Sequence, residues 1–226
     1  MKEEILELLS DQTYTRRKIQ ELAEHFHMTE TQDYVAFIKL INEMEDEGLI
    51  IRSRINDYYL INQLQYYKGV LELNKRGFGF VKVDEEREFY FHDTNMKDAL
   101  NHDVVLIEKV KSHGNREEGR VVRVLRRGQI RYVGEVKRGR KEYIIKTDDP
   151  KFDKPIIVDM AHAHGAMPGH KVVVEIKAFK PQIKGDIVKI IGHRNDPGVD
   201  ILSIVHAHDV DIEFPKEVYE QIENIS

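Results

Sequence analysis

The chain has 226 residues, 33% of them charged and 41% hydrophobic, a balance that suits a soluble globular protein of one to three domains. Cysteine is absent, which excludes disulfides and zinc–thiolate sites and fits a reducing cytoplasm. No apolar run reaches the length of a membrane span, and Met1-Lys2-Glu3-Glu4 is acidic rather than signal-like, so no membrane partner is expected.

The net charge of −5 argues against a polyanionic partner until it is resolved along the chain. Residues 1–67 carry 7 Lys+Arg against 13 Asp+Glu, and residues 206–226 carry 1 against 6, whereas residues 109–154 carry 15 against 7. A polyanion responds to the local patch, not to the chain total.

From the N-terminus, Ile5, Leu6, Leu8 and Leu9 mark a short amphipathic helix. Thr15 precedes a second, with Ile19, Leu22, Ala23 and Phe26 on one face. A third spans about Thr31 to Glu47, with Tyr34, Val35, Ile38, Leu40, Ile41 and Met44 as its apolar side and Gly48 as its stop. Leu49–Arg52 and Tyr58–Ile61, joined by a turn near Asn56-Asp57, read as a hairpin. Three helices and a hairpin make a winged-helix pattern, whose third helix usually reads DNA. Here that helix carries Glu30, Asp33, Glu43, Glu45, Asp46 and Glu47 against Lys39, a charge that a DNA groove repels. A protein-contact role is expected instead, with Arg16, Arg17, Lys18, Arg52 and Arg54 left to touch a phosphate backbone.

An internal duplication follows. Lys68-Gly69-Val70 opens one unit and Val133-Gly134-Glu135-Val136 the next; Gly119 and Gly185 each start a closing strand. The spacing suits two successive five-stranded barrels of the oligonucleotide-binding type. The expected organisation is a winged helix over 1–65, barrels over 66–130 and 131–193, and a linker over 194–226. The fold class is therefore multidomain, α+β followed by two all-β barrels.

The most telling stretch is Lys75-Arg76-Gly77-Phe78-Gly79-Phe80-Val81, with Phe89-Tyr90-Phe91-His92 after it. Strand alternation puts Phe78 and Phe80 on one face, and Tyr90 and His92 on one face of the next strand. Phe89 and Phe91 then point into the core. Gly77 and Gly79 are expected to keep the surface between the rings low, so that unpaired bases can stack at about 1–3 kcal/mol each. In the second unit Ile156 and Val158 are aligned with Tyr90 and His92, and Tyr143 is a surviving aromatic. The first barrel is thus expected to stack bases and the second to steer phosphates. The candidate phosphate contacts are Lys75, Arg76, Arg120, Arg123, Arg126, Arg127, Arg131, Lys137, Arg138 and Arg140.

The two aromatic strands resemble the ribonucleoprotein motifs of cold-shock domains, Lys-Gly-Phe-Gly-Phe and Val-Phe-Val-His-Phe. The match puts Phe78, Phe80, Tyr90 and His92 on that family's stacking positions, with Asp93 where an aromatic is usual. Across its whole length the chain resembles the N-terminal part of ribonuclease R. The segment Gly192-His193-Arg194-Asn195-Asp196-Pro197-Gly198-Val199-Asp200 and the later Phe214-Pro215-Lys216-Glu217-Val218 carry that likeness.

The resemblance implies processive 3′→5′ RNA hydrolysis by a later domain holding two Mg²⁺ ions. No catalytic residue and no cofactor are expected in these residues. The implied partners are single-stranded RNA and structured RNA with a 3′ overhang, with a ribosome or another protein meeting the acidic winged helix. Asp148-Asp149 with Asp153, and Asp209 with Asp211 and Glu213, read as solvated carboxylates rather than metal ligands. The pairs His25/His27, His162/His164 and His206/His208 lack an evident third ligand. A free-standing RNA chaperone and a duplex-DNA regulator are the competing readings.

Overall fold

The computed structural model describes residues 1–110 and 116–207. The Asp209–Glu213 and Phe214–Val218 readings and His208 lie outside the described residues. The chain divides into two compact units, Met1–Gly128 and Gln129–Ser226. The winged helix and the first barrel fall together in the first.

The winged helix is built from α1 (Lys2–Ser10), α2 (Ile19–His25), α3 (Thr31–Asp46) and the antiparallel pair β1 (Ile50–Arg52) and β2 (Tyr58–Leu60). Ile5, Leu9, Leu22, Phe37, Ile41, Met44 and Ile50 form its core. On α3 the buried stripe is Phe37, Ile41 and Met44, while Val35 is exposed. The apolar face expected from sequence is therefore rotated, because the core lies at the i, i+4, i+7 spacing set by Phe37. The α2 N-cap is Lys18 rather than Thr15, and the Glu21 side chain accepts the Lys18 N–H at 3.0 Å.

Arg17 has a structural role, not the phosphate contact expected of it. It is buried, donates to the carbonyls of Tyr14, Leu9 and Asp11 at 2.9, 3.2 and 3.1 Å, and lies 4.7 Å from the Tyr59 ring centre. It thereby satisfies the Leu9 and Asp11 carbonyls at the C-terminal end of α1, where no further helical turn follows to bond them.

The first barrel comprises β3 (Tyr66–Leu73), β4 (Gly79–Lys82), β5 (Glu88–Phe91), β6 (Val104–Val110) and β7 (Glu118–Arg126). They close in the order β3-β4-β5-β7-β6, antiparallel throughout except for the parallel contact of β5 with β7 at Tyr90 and Glu118. Leu71, Val81, Phe89, Phe91, Val105, Ile107 and Val121 fill the interior. The second barrel repeats this order with β8 (Arg131–Arg138), β9 (Glu142–Thr147), β10 (Ile156–Asp159), β11 (His170–Ala178) and β12 (Lys184–His193).

The repeated glycines have the same job in both copies. A Cβ on Gly69 would stand 2.5 Å from the Lys82 carbonyl oxygen, and one on Gly134 2.6 Å from that of Lys146. Each lets a neighbouring strand approach closely where the barrel bends.

The segment from 194 is not simply a linker. The described part continues into α4 (Val199–Ala207), which packs on the second barrel with Val199 and Ser203 buried. Its mostly apolar sequence gives it a face to bury that a solvated connection would lack.

Asp103 anchors the end of the first barrel. Fully buried, it accepts the Leu100 and Gly128 N–H groups at 2.8 and 2.9 Å and pairs with Arg127 at 2.7 Å. Asp103→Ala leaves that guanidinium short of a partner and should cost about 3–5 kcal/mol in urea unfolding. Phe89→Ala removes a fully buried ring and should cost about 3–5 kcal/mol in the same assay.

Candidate nucleic-acid interface

The β3–β4 connection is a tight turn. Asn74 accepts the Gly77 N–H on its carbonyl at 3.1 Å and the Arg76 N–H on its side chain at 3.0 Å, and its own N–H reaches the Phe78 carbonyl at 2.7 Å. Gly77 takes φ +85°, which a side chain would strain. Lys75 and Arg76 are therefore held, exposed, at the tip of the turn beside Phe78.

In the β4–β5 register Phe80 lies directly opposite Tyr90, so both project from the same outer face. Their neighbours Val81, Phe89 and Phe91 point inward and are fully buried. Phe78, Phe80, Tyr90 and His92 form one continuous ring patch. Phe78 lies 5.7 Å from both Phe80 and Tyr90, Phe80 5.6 Å from Tyr90, and Tyr90 4.9 Å from His92. Three of these four contacts are edge-to-face, the arrangement the ring quadrupole favours, so the rings brace one another.

The glycines act differently from the sequence-based expectation. Gly79 is buried, and a Cβ on it would stand 3.0 Å from Leu71 and Leu73 side-chain carbons. It makes room inside the barrel, and Gly77 shapes the turn. Neither lowers the surface between the rings. Asp93 leaves the ring face as well, since it begins a short 3-10 turn and accepts the Thr94 N–H at 2.7 Å.

Charge divides along the patch. At one end stand Lys75 and Arg76; at the other a cleft of about 830 Å³ beside Phe80 and Tyr90 is lined by Asp84, Glu86, Glu88 and Glu117 with Arg87 and Arg116. Sequence reasoning passed over this acidic flank. The run Asp84-Glu85-Glu86 and the parity of Glu88 with Tyr90 were the available signals.

The other candidate cations do not gather at the rings as one patch. Arg120 pairs with Glu108 at 2.7 Å. Arg123 bonds the Glu45 carbonyl and pairs with Asp46 at 3.4 Å. Arg126 is exposed on a groove beside α3. Arg127 pairs with Asp98 and Asp103 at 2.8 and 2.7 Å and has only 18% of its side chain exposed, so it braces the barrel instead of offering a phosphate contact.

In the second unit, Arg131 pairs with Glu175 at 2.8 Å and Lys137 with Glu135 at 2.5 Å. The hydrogen bond from Lys137, with Arg194 beside it, holds the Glu135 carboxyl below the usual carboxylate range. Lys177 and Arg131 do the same for Glu175. Arg138 and Arg140 are exposed.

The second barrel lacks the ring platform, though not through the residues aligned from sequence. Ile156 and Val158 are fully buried and match Phe89 and Phe91. The outward pair is Ile157 opposite Ile144, in the places of Tyr90 and Phe80. Tyr143 lies opposite buried Val158, on the inward face, and is no remnant of the platform.

No group of three or more metal-ligating side chains occurs among the described residues. Asp148 is engaged by Lys171 at 2.5 Å, and Asp149 accepts the Lys151 N–H at 2.8 Å. Those carboxylates do not fit a two-metal centre, which needs several converging on ions about 4 Å apart. Nor does any described helix have the length and apolarity to cross a membrane.

Comparison with known proteins bears on the same two barrels. Residues 69–124 match the family model for the Ribonuclease B OB domain and residues 144–215 that for the Cold shock domain. Ribonuclease R of Thermotoga maritima is 30% identical over 93% of this chain, and Ribonuclease R 1 of Lactococcus lactis 27% identical over 100%. The chain spans about 30% of the length of these relatives. Among solved structures, Mycoplasma genitalium RNase R, known in an apo form and with ribose methylated single-stranded RNA, superposes with a TM-score of 0.58 at 24% identity. That match covers 70% of this chain and 27% of the other. The yeast pseudonuclease Ssd1 gives 0.55 at 19%, covering 66% and 25%. With one family's name recurring over the full chain and two of its domain types in sequence, the chain belongs to the ribonuclease R family, as its N-terminal region.

Proposed function

We propose that this chain is the single-stranded RNA-binding region of a ribonuclease R-like 3′→5′ exoribonuclease, capturing RNA in the cytoplasm and delivering it to a catalytic domain. Structured RNA would enter by a 3′ overhang. The observation that carries the reading is the four-ring patch Phe78, Phe80, Tyr90 and His92 on the outer face of the first barrel, beside Lys75 and Arg76. Rings raised on a sheet offer π-faces that any base can use, so the expected binding tolerates sequence. The single-stranded RNA complex of the Mycoplasma relative supports the same ligand class.

The charge division gives the strand a preferred lie. Phosphates are favoured over the Lys75–Arg76 turn and repelled at the Asp84–Glu88 end, where only bases can approach without cost. In the second unit Arg138 and Arg140 are exposed, while exposed Arg131 is paired with Glu175, and the first two would hold backbone by counterion release. Mg²⁺ would belong to the catalytic step of the parent enzyme; among the described residues no group of three or more metal-ligating side chains occurs.

Fluorescence anisotropy of a labelled single-stranded RNA against duplex DNA, over a salt series, tests the reading. Single strands should be preferred, with a log–log salt slope of about −0.7 per phosphate neutralised. Phe78→Ala with Tyr90→Ala should weaken binding by about 2–4 kcal/mol while leaving the unfolding midpoint near that of the parent. Preference for duplex DNA, or unchanged affinity of the double variant, would overturn it.

A further inference from the structure

The acidic end of α3 meets the cationic strand of the first barrel. Arg123 of β7 donates to the Glu45 carbonyl and pairs with Asp46, and Lys68 of β3 donates to the Glu47 carbonyl at 2.7 Å. These carbonyls belong to the last turn of α3, where the helix dipole adds negative charge. Gly48, at φ +65°, lies so close to Leu125 that a Cβ there would stand 2.4 Å from a leucine methyl. The end of α3 thus acts on the barrel as a short internal polyanion.

The contact is small and exposed. Asp46 has 78% of its side chain in solvent and Arg123 40%, so their attraction is modest and screened by salt. A groove of about 940 Å³ stays open beside it, walled by Glu43, Asp46 and Glu47 against Lys68 and Arg126. The backbone link is equally slight. Gln63 ties the short turn after β2 to α1 through the Leu9 carbonyl at 2.8 Å, and β3 begins at Tyr66. Between them stands Gln65 alone, in the left-handed conformation at φ +59°.

We propose that the C-terminal end of α3 is an ionic latch on the first barrel, opened when a single-stranded RNA takes over the cations that α3 holds. The proposal rests on the RNA-binding reading and adds regulation to it. The winged helix then competes for Arg123 and Lys68, and its docked state lowers RNA affinity by the fraction of molecules that are latched.

The cysteine-free sequence permits a direct test in the full chain. Dyes on Lys39→Cys in α3 and Glu85→Cys in the β4–β5 turn report the distance between winged helix and barrel by energy transfer. The distance should widen between low and high salt without RNA, and widen at low salt on saturation with oligouridylate. Leu125→Ala, which changes no charge and touches no proposed RNA contact, should widen it without RNA and tighten RNA binding about threefold. RNA binding at an unchanged distance, with Leu125→Ala binding like the parent, would overturn the latch and leave the RNA reading intact. Failure to bind RNA at all would instead overturn the RNA reading and, with it, RNA as the opener.

Discussion

Closing five short strands into a barrel obliges every strand to send alternate side chains into a narrow interior. Once Phe89 and Phe91 fill the first barrel, with Gly119 giving way beneath the Phe91 ring, Tyr90 has nowhere to go but out. The cross-strand register then delivers Phe80 beside it, and the tight turn at Gly77 brings Phe78 and two cations to the same edge. The ring patch is thus a product of how the interior is filled. Three of its four ring contacts are edge to face, at 4.9–5.7 Å.

Charge is the second layer of organisation, and most of it is already engaged. Arg127 braces Asp103, Arg131 and Lys177 share Glu175, and Lys137 and Arg194 share Glu135. A count of basic residues along β7 and β8 therefore overstates what a polyanion would find. A second contrast lies across the ring patch itself, basic at the β3–β4 turn and acidic at the β4–β5 turn, where Asp84, Glu86 and Glu88 stand beside Glu117, itself paired with Arg87 and Lys109. Such a gradient orients a bound strand without reading its sequence.

Much of this was legible beforehand because strand parity is a strong constraint. Which of Phe78, Phe80, Tyr90 and His92 share a face follows from alternation, and the polarity of His92 turns Phe89 and Phe91 inward. The duplication showed in its glycines, since a position that admits no Cβ leaves a recognisable residue behind. What alternation could not supply was register between the copies: Ile156 was aligned with Tyr90, one residue out, because only pairing with Ile145 fixes which isoleucine faces inward. The roles of Arg17 and Arg127 were also hidden. Arg17 turns back onto nearby backbone carbonyls and Arg127 onto carboxylates 24 and 29 residues away, and a guanidinium looks the same in a list of residues whether it meets solvent or such partners. On α3, Val35 and Phe37 stand on opposite sides of the helix, and apolar residues on both sides left the choice of core face to the packing.

The twin glycines Gly69 and Gly134 carry a consequence beyond packing. Both copies keep the same constriction and the same strand order, while their outward pairs have drifted apart, Phe80 with Tyr90 in one and Ile144 with Ile157 in the other. Stability is written on the inner surface and surface chemistry on the outer one, so a duplicated barrel can be repainted without being rebuilt. A lineage holding two such copies can change what one of them touches while the other goes on serving the original purpose.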